Sequence, residues 1–241
     1  MQPRAPRVFQ AESNPRARER PVTTTGTLAP MLRPEVVLAS ASPRRRDLLA
    51  ALGVPALVRS ADVDESALEN EAPEELVARL ARAKAEAVAA RLEAGRRGPG
   101  DGNGGTELGP AESPALVIAA DTVVVLDDEV LGKPVDVAES RAFVGRLAGR
   151  SHVVLTGHCL RLGTARAERV QRTVVTFRQL DADEIERYVA SREGDDKAGA
   201  YAIQGRGAGL VERVEGCYSN VVGLSLPTVI SLARSLGVSL G

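Results

Sequence analysis

Apolar residues recur along this chain with two different periods. Residues 35–39 (EVVLA) form a short unbroken apolar run, which predicts a buried strand. Ser42-Pro43 follows, a helix-capping residue with proline at the first helical position, and Gly53 stands where a C-terminal cap belongs, so a helix is predicted between them. Over 73–93, Leu76, Leu80, Ala83 and Ala87 keep helical spacing behind Pro73. Leu116–Leu126 (LVIAADTVVVL) is rich in β-branched residues and predicts a strand interrupted by one charge. Further on, 138–148 predicts a helix, and 152–160 and 169–179 predict two long alternating strands joined by a polar turn. Residues 181–191 predict a helix capped by Asp181, 208–214 a strand and 226–236 a closing helix. Strands and helices alternate, so the class is α/β with a mixed sheet, its long adjacent strands partly antiparallel.

Two stretches carry neither period. Residues 1–34 hold six prolines, and 95–114 hold seven glycines and three prolines, compositions that cannot bury enough apolar surface to offset ordering. The expected organisation is a disordered N-terminal extension over 1–34 and one domain over 35–241 with a disordered insertion at 95–114. Met31, just ahead of the first strand, is a candidate alternative start. Gly100, Gly102 and Gly105 spell the dinucleotide-binding fingerprint, but no strand precedes them and no helix follows, so the match carries no mechanism.

Composition narrows the function. With 31 Lys+Arg against 32 Asp+Glu the net charge is −1, which argues against a coat for DNA or anionic membrane. The charge is uneven: residues 1–34 carry six arginines and two glutamates, +4, leaving −5 for the rest. Two cysteines, Cys159 and Cys217, exclude a disulfide framework, and with two histidines a Cys/His metal site would consume nearly all four. Aromatics at 2% leave no stacking platform for single-stranded nucleic acid. The N-terminus lacks the apolar core of a signal peptide, and no run of about 18 apolar residues follows. A soluble cytoplasmic domain is expected.

The informative residues are polar groups in apolar surroundings. In LASASPRRRDLL (38–49) a strand ends in small residues and a helix begins at Ser42, aiming its free N–H groups back toward the strand's end. Arg44 and Arg45 in that first turn have the wrong sign for a helix N-terminus, so an anion ligand explains them better than stability does. Asp121 interrupts the β-branched run, where an unpaired carboxylate costs several kcal/mol; at a strand's end beside a cleft it suits a general base or magnesium ligand, and a turn-capping carboxylate is the structural alternative. Lys133 sits in a Gly-Lys-Pro turn after that strand. Lys84 lies on the side of Leu76, Leu80 and Ala87, where lysine commonly snorkels to water. Glu65, in ADVDES (61–66), adds a carboxylate, and the small residues, Tyr201 and Gln204 of DKAGAYAIQG (196–205) suit a loop around a flat polar ligand. Together these are the parts needed to cut a phosphoanhydride.

LASASPRR (38–45), AADTVV (119–124), LGKP (131–134), DKAGAYAIQG (196–205) and NVVGLSL (220–226), in this order, resemble the motifs of the Maf family of septum-formation-inhibitor-like nucleoside triphosphate pyrophosphatases. The resemblance runs from about Val36 to Leu236. It implies an inosine-triphosphatase-like fold, a bent mixed β-sheet flanked by helices around a deep active-site cleft. It implies cytoplasmic hydrolysis of a nucleoside triphosphate to monophosphate and pyrophosphate with a divalent metal cation, Mg²⁺ or Mn²⁺. Carried over by motif, the proton acceptor falls on Asp121, and the residues tied to substrate choice fall on Arg44, Thr122 and Gln204. Ser42, Arg45, Lys84 and Lys133 match further substrate-binding positions, and Glu65 and Asp121 the metal ligands. Asp121-Thr122 together with Tyr201 and Gln204 resembles the branch acting on dTTP and UTP, and an amide such as Gln204 can both donate to and accept from a pyrimidine edge. The implied partner is the nucleotide, with room for a homodimer and no call for nucleic acid or membrane. The alternatives are a septation regulator that works by binding a partner and a pyrophosphatase for another base, such as 7-methyl-GTP. Two departures are visible: the family's Gly-Leu-Pro-Leu is here Gly223-Leu224-Ser225-Leu226, and the Gly-rich stretch 95–114 is inserted between the long helix and the Asp121 strand, away from any motif.

Overall fold

The computed structural model describes residues 34–97 and 114–240. The expectations for 1–33 and 98–113 lie outside the described residues. In chain order the elements are β1 (Val36–Leu38), α1 (Pro43–Ala51), β2 (Ala56–Val58), α2 (Pro73–Arg97), β3 (Leu116–Leu126), β4 (Glu129–Leu131), α3 (Val137–Leu147), β5 (Ser151–Leu162), β6 (Ala165–Phe177), α4 (Ala182–Ala190), β7 (Val211–Glu215), α5 (Tyr218–Val222) and α6 (Leu226–Ser235). Among the described residues no helix is long and apolar enough to cross a membrane.

The strands build one open seven-stranded mixed sheet in the order β2-β1-β3-β5-β6-β7, with β4 added to β3. β1 runs parallel to β2 and β3, and every other pairing is antiparallel. Side chains alternate between the faces of a strand, and β3 shows it. Val117 and Ala119 pack with Ala81, Ala85 and Val88 of α2, whereas Leu116, Ile118 and Ala120 pack with Leu49 of α1 and Val229 and Leu232 of α6. Farther along, Val124 and Leu126 join Phe143 and Leu147 of α3 and Phe177 of β6.

Element boundaries differ most from the sequence pattern in three places. α2 continues through Arg97, so residues 95–97 are helical and not part of an insertion loop. No proline stands in its interior after Pro73 to stop it. Its buried stripe is Val77, Ala81, Ala85 and Val88, with Leu76, Leu80 and Lys84 beside it, while Ala83 and Ala87 are only partly covered. The β5–β6 hairpin closes in two residues, Gly163-Thr164, so the polar stretch 161–168 is mostly paired strand. Its charges reach α2 instead of forming a loop: Arg161 pairs with Glu93 and Arg166 with Glu86. At 208–214, a 3₁₀ turn over Gly205–Leu210 comes first and β7 starts only at Val211.

The short elements β4 and α5 carry no periodic signal of their own. β4 is made by a tight hairpin at Asp127-Asp128, both at positive φ as a type I′ turn requires. The Ser225 departure is accommodated locally, since its hydroxyl accepts the Thr228 N–H and caps α6, and Pro227 fits in that first turn.

Candidate active site

β3 has two neighbours on one edge. β1 covers Leu116–Ile118 and β4 covers Val124–Leu126, while β5 pairs along nearly all of the opposite edge. Residues 119–123 therefore have no strand on the first side, and a cavity of about 760 Å³ opens at that gap. β1 ends there because Ala39-Ser40-Ala41 turn into α1. β4 runs back along β3, so its exit delivers Gly132-Lys133 to the same opening.

Asp121 stands in the middle of β3, not at its end, and its side chain lies on the α2 face. Its cross-strand partner is Gly157 of β5. A Cβ at Gly157 would fall 2.1 Å from the Val77 carbonyl oxygen, so only glycine lets α2 lie this close to the sheet. About two turns after Val77, on the same helix face, comes Lys84. It does not snorkel. Its Nζ is buried and bonds Asp121 Oδ1 at 2.6 Å and Glu65 Oε1 at 2.5 Å. One ammonium thus gathers two carboxylates at the gap, and Asp121 caps no turn. Burial works to raise the Glu65 pKa, but the hydrogen bond and charge of Lys84, with Lys133 and Arg45 behind it, bring the carboxyl below its ordinary value.

Thr122 points to the other face, toward α1. Arg45 meets it there, donating from Nη2 to Thr122 Oγ1 at 3.1 Å, from Nη1 to Ser40 Oγ at 3.1 Å and from Nε to the Gly223 carbonyl at 2.8 Å. Thr122 Oγ1 in turn lies 3.0 Å from Thr156 Oγ1, whose hydroxyl donates to the Asn220 carbonyl. Burial lowers the Arg45 pKa from its ordinary value, with the Asp121 carboxylate opposing and Arg44 adding to the shift. Neighbouring arginines on one helix turn thus diverge: Arg45 joins Thr122, and Arg44 instead faces Asp196 across the cleft at 3.8 Å.

The remaining expected residues fall around the same cavity. Ser42 is half-buried at the start of α1; its hydroxyl caps nothing, and its N–H donates to Ser40 Oγ at 3.2 Å. Lys133 is exposed at the rim. Gln204 is exposed, lines the cavity and caps no helix with its side chain. Tyr201 is different: it is buried, its hydroxyl 2.8 Å from His152 Nε2, its ring edge-on to Phe177. It serves chiefly as core beneath the loop. The supports Ser40, Thr156, Asn220 and Gly223 were not singled out from the sequence, since small polar residues carry no pattern until their long-range partner Arg45 is in place.

The two carboxylates offer hard oxygen donors of the kind that Mg²⁺ favours. Among the described residues no group of three or more His, Cys, Asp or Glu side chains could hold a metal unaided. Cys159 and Cys217 are free thiols, and burial pushes the Cys159 thiol up to about 12.

The profile of a family described as Maf-like protein matches residues 35–236. A protein of Myxococcus xanthus named dTTP/UTP pyrophosphatase is 48% identical over 205 residues, which cover 85% of this chain and 94% of that one. Proteins with the same name from Anaeromyxobacter dehalogenans and Symbiobacterium thermophilum are 45% and 44% identical, covering 86% and 84% of this chain and 96% and 94% of their own length.

Proposed function

The chain belongs to the Maf-like protein family, and from that membership we propose that it hydrolyses dTTP and UTP to the nucleoside monophosphate and pyrophosphate. The observation that carries the reading is the cluster of Asp121, Lys84 and Glu65 inside a cleft that Arg44, Arg45 and Lys133 also line. Water attacks the α-phosphorus, the bond from that phosphorus to the oxygen bridging toward the β-phosphorus breaks, and pyrophosphate leaves with that oxygen. Asp121 takes the attacking water's proton, and Lys84 fixes the carboxylate in position. Arg44, Arg45, Lys133 and the free N–H groups in the first turn of α1, just after Ser42, neutralise the phosphates. Glu65 and Asp121 would hold a divalent cation, Mg²⁺ or Mn²⁺, which when bound offsets phosphate charge and polarises the phosphoryl oxygen. Thr122, aligned by Arg45, and Gln204 at the cavity mouth present donors and acceptors to the base, and a uracil or thymine edge needs both.

The test is direct. Purified chain incubated with UTP, dTTP and Mg²⁺ should release equimolar pyrophosphate and monophosphate. Release of inorganic phosphate and a diphosphate instead would place cleavage at the β–γ bond and overturn the reading. Turnover of CTP or 7-methyl-GTP in preference to UTP would keep the chemistry and remove the assignment of the base.

A further inference from the structure

Gln204 stands at the tip of a loop held from both sides by the end of α4 and the turn that follows it. Two residues before the tip, the Ala202 N–H donates to the Tyr188 hydroxyl at 3.0 Å, and both groups are buried. Beyond it, the Glu193 carboxylate accepts from the N–H groups of Arg206 at 2.9 Å and Gly207 at 3.0 Å, one oxygen to each. The fit is tight. A Cβ on Gly205, at φ +62°, would fall 2.7 Å from Glu193 Oε2, and one on Gly207 would fall 1.9 Å from the Ala202 carbonyl oxygen and 3.1 Å from the Tyr188 hydroxyl. The segment therefore folds back on itself with its backbone donors pinned to α4 and to the turn after it, and the one polar side chain it aims at the cavity is Gln204. Neither Tyr188 nor Glu193 lines the cavity, and nothing in the proposed hydrolysis uses them.

We infer that Glu193 and Tyr188 are positioning residues for base selection, holding the backbone that aims Gln204. This rests on the reading of the cleft as a pyrimidine nucleotide site. The phosphate-facing groups lie on other elements, so loosening this bracket should blur the choice of base and leave the chemical step alone. Glu193→Gln keeps the size but turns one acceptor into a donor facing a backbone N–H; Tyr188→Phe removes a single oxygen from the other side.

The experiment compares wild type, Glu193→Gln and Tyr188→Phe in steady-state turnover of UTP and CTP, and in calorimetric binding of non-hydrolysable α,β-methylene analogues of both. Each variant should raise KM for UTP and lower the UTP-to-CTP ratio in kcat/KM and in affinity by about tenfold, the size of one lost hydrogen bond, with kcat on UTP within about twofold. A lowered melting temperature with both ratios unchanged would make the bracket merely structural and overturn the inference. So would an equal loss of kcat on both nucleotides. If Glu193→Gln does not fold, Tyr188→Phe decides alone, and an unchanged ratio there overturns the inference. A wild type that binds the UTP analogue selectively yet turns over no nucleotide would sink the proposed reaction, while the change in binding ratio would still decide the role of the bracket.

Discussion

Asp121 and Lys84, at 8% and 7% exposure, are nearly as buried as His152 and His158, at 2% and 1%. The two regions solve the same problem in opposite ways. At the gap in β3, burial is met by pairing: the ammonium lies between two carboxylates, on a helix drawn in by Gly157. Deeper in the sheet, burial is met by discharge. Desolvation pulls both histidines down to about 4, so each is a neutral ring at physiological pH. His152 has the Tyr201 hydroxyl on Nε2 and no partner on Nδ1 among the described residues, whereas His158 Nε2 accepts the Ser225 N–H at 2.9 Å. The contrast teaches that burial alone does not mark function. A buried charge that keeps its partners beside a cavity stays ionised and within reach of a ligand; a buried base stripped of its proton is packing.

The sharpest break of that contrast is Asp121→Asn. It keeps the shape, removes the proposed base and leaves Lys84 paired with Glu65, so turnover should fall by about 10²–10⁴ while the melting temperature holds. Added Mg²⁺ should not restore the rate. A variant that unfolds while its folded fraction turns over normally would make Asp121 structural.

The histidine region should fail in acid. Above about 6.5 the rings are neutral folded or unfolded, so they cost nothing. Between 6.5 and 4 the unfolded chain takes up protons that the folded one refuses, so stability falls as pH drops and the loss is complete below about 4. Each ring contributes up to about 3 kcal/mol to that loss. Urea midpoints measured from pH 7 to 4 should fall less steeply in His158→Gln than in wild type, and parallel curves would reject the assignment.

Gly157→Ala should join the two regions' fates, forcing α2 off the sheet for about 1–3 kcal/mol and carrying Lys84 away from Asp121. Turnover per folded molecule should drop with stability, unlike in Asp121→Asn. The smallest effect is expected from Lys133→Ala at the exposed rim. If Lys133 meets substrate charge as proposed, KM should rise about tenfold with the melting temperature unmoved, since the exposed lysine does not support the fold.

Much of this was legible in the sequence because strong periods and strong chemistry coincide. Leu116–Leu126 was bounded correctly by its β-branched run, and Asp121 stood out as the one charge within it. Asp181 capped its helix as read, with Glu184 completing the capping box. What escaped depended on small or ambiguous residues. Alanines at 83, 85, 87, 89 and 90 blur the stripe of α2, so the true face, Val77 to Val88, could be placed only by the sheet beneath it. Arg44 and Arg45 are adjacent and chemically identical; only the position of Thr122 decides which one reaches it. Tyr201 lies in a motif that lines the cleft, yet its ring turns inward to Phe177 and His152.

The interrupted edge of β3 also bears on self-association. An open strand edge invites another chain to add on, a route to aggregation. Ile118 turns its carbonyl to β1, so by alternation the main-chain groups of Ala120 and Thr122 face the gap, where no side-chain substitution can remove them. Yet the aperture spans five residues, about 17 Å, and is walled at one end by β1 and at the other by β4. A foreign strand would have to displace one of those walls to lie down. The two short strands that frame the opening thus leave main-chain groups accessible at the cavity while denying a second strand the length it needs to pair.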